Sequence, residues 1–259
     1  MNMGNTTFIG LILLGVIAFG IGFRMNNKSS SAADAHQAHG CCACSHASHQ
    51  SHGGAVEAES DIKNYPFASN GSLSIDNTNG SIVIEKHDAN TLIIESVKKA
   101  RAEHLADIEI VISVDNGVAA IETLYKKPKI SGSVDYVIKA PAGTIVHAST
   151  VNGSIATHGI HHVNADAVNG SIMSHGVEQV QMETVSGELS AAFSGAVAQS
   201  SLQSVNGTIH VSLPASYDGS VDIRSPLNGA VRSDFPLSSE HAAIHLETVN
   251  GSIAVTRVK

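Results

Sequence analysis

The densest chemistry in this 259-residue chain lies in a short tract holding His36, His39, Cys41, Cys42, Cys44, His46, His49 and His52. Thiolates and imidazoles one to three residues apart can wrap around Zn²⁺, Cu⁺ or Ni²⁺ without a preformed fold, binding itself ordering the segment. The spacing fits no single zinc-finger pattern, so metal capture is a compositional reading, and a polar low-complexity spacer is its plain alternative. No cofactor is required by anything else in the chain. The three cysteines fall at 41, 42 and 44, too close together to staple distant parts of a fold.

Two further groupings are set by periodicity. Asp166 and Glu183 each stand two residues before a recurring Val, and stacking would bring their carboxylates to roughly 5 Å, one strand spacing apart. A retaining glycosidase pair has that separation, but it also needs a cleft, a raised acid pKa and aromatic sugar platforms. With aromatics at 4% and no Trp, an acidic solvated file, or weak Ca²⁺ binding, is the better reading. His158 and His175 share the position before a second glycine, with His161 and His162 nearby, so imidazoles cluster on one edge; ordinary exposed corner histidines are the plain reading and a surface metal site is the alternative. Neither a phosphate loop, a dinucleotide fingerprint nor a nucleophile elbow is present, and the chain reads as non-enzymatic.

The elements that position these groups are repeated. Val151-Asn152-Gly153-Ser154-Ile155 recurs as Val168-Asn169-Gly170-Ser171-Ile172, Val185-Ser186-Gly187-Glu188-Leu189, Val205-Asn206-Gly207-Thr208-Ile209, Leu227-Asn228-Gly229-Ala230-Val231 and Val249-Asn250-Gly251-Ser252-Ile253. The intervals are 17, 17, 20, 22 and 22 residues, the length of one coil in a stacked repeat protein. The pattern predicts an all-β, single-stranded β-solenoid with coils of about 17–22 residues. Asn-Gly would supply positive φ at a tight corner, the flanking Val and Ile would point inward, and Asn152, Asn169, Asn206, Asn228 and Asn250 would form an amide ladder that Ser186 interrupts. Hexapeptide left-handed helices need an apolar residue every six positions, whereas counting from Val151 they fall at +4, +9 and +12. Upstream, Asn70-Gly71 and Asn79-Gly80 repeat the theme less regularly, followed by strand-like runs at 92–94, 108–114 and 119–123, while Ser96 to Ala106 reads as a short helix or polar turn.

The element Tyr136-Val137-Ile138-Lys139-Ala140-Pro141-Ala142-Gly143, leading into Thr150-Val151-Asn152-Gly153-Ser154-Ile155 and its successors, resembles the bacterial "putative adhesin" family, a domain of unknown function. The resemblance covers roughly residues 66 to 259 and implies a β-solenoid, membrane-attached and exposed outside the cytoplasm, with adhesion as its provisional label. It supplies no catalytic or binding residues, and the His/Cys tract departs from it.

Three segments follow: an anchor over 1–24, a disordered His/Cys-rich tether over 25–64 and a repeat domain over 65–259. From Thr6 to Phe23 there are 18 uncharged, mainly apolar residues, about 27 Å of helix. Read as a retained span, they make the chain a single-pass membrane protein. Arg24 and Lys28 count toward a cytoplasmic domain, while the family resemblance points outside. The net charge of −8 repels polyanions and excludes nucleic acid as partner. The expected function is a surface interaction module binding an unidentified protein or envelope partner. The alternatives are a scaffold resembling the bactofilin cytoskeleton and a metal-binding protein acting through the tract.

Overall fold

The computed structural model describes residues 56–127 and 130–258, all within the second of the two units into which the chain divides, Ala55–Lys259. The second contains strands β1 (Val56–Pro66), β2 (Ser72–Asn79), β3 (Ile82–Lys86) and β4 (Thr91–Arg101), then the four-residue helix α1 (Ala102–Leu105), then β5 (Ile108–Asp115), β6 (Val118–Tyr125) and β7 (Gly132–Ala140). The repeats follow as β8 (Ile145–Asn152), β9 (Ile155–His158), β10 (His162–Asn169), β11 (Ile172–Val177), β12 (Gln179–Ser186), β13 (Leu189–Phe193), β14 (Ser200–Asn206) and β15 (Ile209–Leu213). The last four strands are β16 (Val221–Arg224), β17 (Val231–Ser233), β18 (Ile244–Asn250) and β19 (Ile253–Arg257).

Each Val-Asn-Gly unit joins a strand of one sheet to a strand of the other. Apolar and small residues at alternate positions face inward, as in β10, where Val163, Ala165 and Ala167 are buried while Asn164, Asp166 and Val168 are not. Two sheets result. One has ten strands in the order β1-β4-β7-β3-β9-β11-β13-β15-β19-β17, the other nine in the order β16-β18-β14-β12-β10-β8-β2-β6-β5. Between them Ile82, Tyr136, Ile155, Ile172, Leu189, Ile209 and Ile253 form one fully buried row. Each such side chain contributes about 1.5–3 kcal/mol relative to exposure.

This arrangement corrects the expected single-stranded solenoid. The chain folds as two mixed sheets, because β4 runs antiparallel to both β1 and β7, and β5 is antiparallel to β6. Sequence order also fails at both ends. β16 and β17 lie outermost, and β18 and β19 insert between them and β14 and β15. At the other end β2 and β3 stack directly on β8 and β9, while the intervening β4 to β7 add strands beyond them. Residues 96–101, read as helix or turn, belong to β4. Residues 56–64, placed in the expected tether, belong to β1.

The expectation of a single-pass membrane protein is corrected too. Among the described residues no helix is long and apolar enough to cross a membrane. The segment read as anchor (1–24) and the tether positions His36, His39, Cys41, Cys42, Cys44, His46, His49 and His52 lie outside the described residues.

The corners depart from expectation in their chemistry. Val151, Val185, Val205 and Val249 are half-buried on the outer side of the sheet, and the inward position is the residue before each: Thr150, Thr184, Ser204 and Thr248. Thr184 and Thr248 donate their hydroxyls to the carbonyls of Gly170 and Gly207, at 3.1 and 3.0 Å. The first repeat uses Asn77 for the same task, its amide donating to the Val134 carbonyl at 2.8 Å. Among the corner glycines positive φ occurs at Gly80 (115°), Gly187 (154°), Gly229 (153°) and Gly251 (154°), but it occurs at none of the corner asparagines. What every corner requires is absence of a side chain: a Cβ on Gly153, Gly170, Gly187, Gly207, Gly229 or Gly251 would lie within 2.0 Å of the carbonyl oxygen of the glycine in the neighbouring layer.

Candidate interaction surface

The in-register stacking turns single outward positions into rows. The asparagine row runs Asn79, Asn152, Asn169, Ser186, Asn206, Asn250, Asn228. Asn152 donates to Asn79 at 2.9 Å, Asn169 to Asn152 at 3.1 Å, Asn250 to Asn206 at 2.9 Å and Asn228 to Asn250 at 2.7 Å. Among the described residues no side-chain hydrogen bond of the row crosses the Ser186 position, so the ladder is two segments. Its last members stand out of sequence order, since Asn228 pairs with Asn250 and not with Asn206. Sequence spacing alone could not reveal that.

Two rows of the nine-stranded sheet carry most of its outward polarity. One runs Glu122, Asp76, Ser149, Asp166, Glu183, Gln203, Glu247, Arg224. The other runs Ser74, His147, Asn164, Gln181, Ser201, His245, Asp222 across the neighbouring positions. Side chains bond along the rows: Ser149 donates to Asp76, Asn164 to Gln181 at 3.4 Å, and a His245 ring nitrogen lies 3.1 Å from Asp222. Arg224 pairs with Glu247 at 3.2 Å. The face is therefore acidic and dense in hydrogen-bonding groups.

Asp166 and Glu183 are direct register partners, and half-burial raises the Asp166 carboxyl to a pKa of about 6, with the charges of Glu183 and Asp76 adding to the rise. A proton is thus held more easily at Asp166, because the Glu183 and Asp76 charges lie in the same row. Among the described residues no group of three or more His, Cys, Asp or Glu converges well enough to hold a metal ion. The four histidines grouped by sequence divide between sites. His158 and His175 stack on the ten-stranded sheet, with centroids 5.6 Å apart. His161 lies 3.7 Å from Glu178, and His162 lies 3.3 Å from Gln179 on the other sheet.

One clamp that the sequence did not announce joins the first Asn-Gly corner to β7. Asp135 accepts from the Ser81 backbone N–H at 2.8 Å and its hydroxyl at 2.9 Å, and pairs with Lys99 at 2.7 Å. Burial pushes its carboxyl up, but the hydrogen bonds from Lys99 and Ser81 win and hold it below the ordinary carboxylate range.

Where β1 and β4 overhang β5, the sheets part into a cleft of about 560 Å³. Its apolar wall is Ile94, Ile108, Ile110 and Ile112, and Glu59 and Lys98 face each other across β1 and β4. Lys98 pairs with Glu59 at 3.4 Å, Lys63 with Asp61 at 3.3 Å and Lys126 with Glu109 at 3.1 Å, so among the described residues its rim carries no unpaired cation to select an anion. Inward charges on β1 also protect this exposed edge strand from pairing with another chain.

No family model matches the chain, and no curated protein matches it. Solved structures do. A putative cell adhesion protein from Clostridium sporogenes is 15% identical, the match covering 78% of this chain and 100% of that one with a TM-score of 0.48. A putative adhesin from Bacteroides fragilis is 12% identical over 76% of this chain and 97% of its own, with a TM-score of 0.42. A putative lipid binding protein from Parabacteroides distasonis is 13% identical over 77% and 97%, with a TM-score of 0.38. These neighbours are bacterial, and their names are non-enzymatic.

Proposed function

We propose that residues 56–258 form a non-enzymatic interaction module of adhesion type, the term used in the names of the similar structures, and that it engages a protein or envelope partner across the outer face of the nine-stranded sheet. The observation that carries this reading is the register. Six neighbouring strands present aligned outward positions, so Asp76, Ser149, Asp166, Glu183, Gln203 and Glu247 form one continuous row beside the row of Asn164 and Gln181. Continuous repeated rows suit an extended partner, which can gain many weak polar contacts without a pocket.

The test uses beads coated with the full chain and counts their attachment to bacterial cells. Gln181→Arg combined with Glu183→Arg places two cations in the middle of the face and should reduce attachment severalfold. Met173→Arg, on the opposite sheet, should leave it unchanged, with circular dichroism confirming that both variants fold. Equal attachment by wild type and both variants would remove the nine-stranded sheet from the function.

A further inference from the structure

The outer face of the ten-stranded sheet carries a different chemistry at one point. The row Lys139, Glu85, His158, His175, Ala192, Ser212, Thr256 crosses β7, β3, β9, β11, β13, β15 and β19. Within it His158 and His175 are direct register partners on adjacent parallel strands. Both are exposed, and their rings lie parallel within 1°, centroids 5.6 Å apart. This pairing is fixed by the fold: Gly159 donates its N–H to the His175 carbonyl at 2.8 Å, and β9 and β11 are in register from Ile155 and Ile172 through to the two histidines. Neither ring hydrogen-bonds to a described residue, unlike His245, which is tied to Asp222. Their nitrogens are free for an outside ligand.

We propose that His158 and His175 form a two-nitrogen site for a borderline divalent cation, taking Cu²⁺ before Ni²⁺ or Zn²⁺. Neutral imidazole is a ligand for all three, and affinity at a given nitrogen site rises to Cu²⁺ and falls again at Zn²⁺. Imidazole nitrogens bind such ions at about 2.0–2.1 Å, so a shared ion needs them within roughly 4 Å of each other. The rings must tilt toward one another at their tips from the stacked 5.6 Å. Exposed side chains make that adjustment on the nanosecond scale. The backbone already fixes the two residues one strand spacing apart, so the second nitrogen binds as an intramolecular event. Because no third His, Cys, Asp or Glu among the described residues converges there, water completes the coordination, which suits the tetragonal preference of Cu²⁺ for mixed nitrogen and oxygen donors. The site shares no residue with the His/Cys tract of residues 36–52.

The experiment titrates CuCl₂ into a full-length variant in which the eight His and Cys residues of the tract are replaced by Ser, so that only the folded unit reports. Calorimetry gives the affinity, and electron paramagnetic resonance counts coordinating nitrogens. The parent should show a one-to-one site with two equivalent imidazole nitrogens. His158→Gln and His175→Gln should each lower the affinity about tenfold or more and leave one nitrogen, and the double variant should lose the site. His147→Gln, on the other sheet, should change neither reading. Two-nitrogen binding that survives both single substitutions, or affinity within about twofold of the parent in each, overturns the assignment.

Discussion

Substitution of Gly170 by Ala tests whether the layers are held at the spacing the corners impose. A Cβ at Gly170 would stand 1.7 Å from the carbonyl oxygen of Gly153 and 2.7 Å from its carbonyl carbon. Both atoms are backbone, so no side chain can swing aside, and the neighbouring layers must separate by more than an ångström. That separation strains two backbone bonds between these layers, the Gly153 N–H to the Asn169 carbonyl (3.2 Å) and the Ile155 N–H to the Ser171 carbonyl (3.0 Å). Overpacking a rigid site costs about 1–3 kcal/mol, and weakening two backbone hydrogen bonds adds about 1 kcal/mol each. The sum of about 3–5 kcal/mol is a large share of the roughly 5–15 kcal/mol that stabilises a typical domain. For a folded unit of this size each kcal/mol lowers Tm by about 2–4 °C, so Gly170→Ala should melt about 6–20 °C below wild type. Gly195→Ala is the control, since a Cβ there meets nothing within 4 Å, and it should shift stability by no more than about 0.5 kcal/mol. Thermal and urea unfolding followed by far-ultraviolet circular dichroism measure both. Coincident melting curves for the two variants would refute the claim that glycine is required by contact between layers.

Three further outcomes are expected. Ser186→Asn supplies the missing amide between Asn169 and Asn206 and should raise stability by about 0.5–1 kcal/mol; urea midpoints detect this, and a decrease would show that the row does not bond through that layer. Tyr136 is fully buried, its hydroxyl 2.7 Å from Thr123 Oγ1 and its pKa pushed up by burial to about 12. Tyr136→Phe strands the threonine hydroxyl and should cost about 1–3 kcal/mol, whereas Tyr136→Phe with Thr123→Val should cost less than the two single changes together; additive costs in denaturant titrations would exclude the pairing. Asp166 has its folded pKa raised from 3.8 to about 6, so the native state binds the extra proton, and this group's contribution to stability is fully present below about pH 4 and is lost as pH rises through 6. Asp166→Asn should therefore melt above wild type at pH 7.5 and level with it at pH 4, and an offset independent of pH would contradict the burial and charge origin of the shift.

The sequence made equivalence legible, but adjacency of the layers less so. Residues 17 apart do lie side by side: Val163 beside Val180, Asp166 beside Glu183 and Asn152 beside Asn169. Equal spacing follows because a layer needs the same number of residues each time to cross one sheet, turn at Asn-Gly and return along the other. The 22-residue intervals flanking Leu227 hide an excursion. There the chain passes outward to β16 and β17, then returns to lay β18 and β19 against β14 and β15. A repeat identifies which residues are alike, but all its copies offer the same edge, so it does not say which copy will occupy it. The choice falls to irregular residues between copies: Phe235 is buried, packs edge-on to Tyr217 at 5.6 Å, and lies beneath the Arg257 guanidinium at 4.2 Å. No periodicity announces those three side chains as one cluster.

The same limit explains the reading of the corner valines. Counting from an apolar residue assigns it to the core, yet strand parity is fixed by what fits inside, and the space beside each corner glycine admits only Thr, Ser, Ala or Asn. Thr184 and Thr248 fill it while capping a glycine carbonyl, so the valine after each is displaced to the outer side. Parity then carries outward along the strand: with Ala165 and Ala167 buried, Asn164 and Asp166 must face solvent. The composition of the outer rows is thus a consequence of corner packing, and a change that tightens or opens a corner will also reset the face on which the proposed partner is bound.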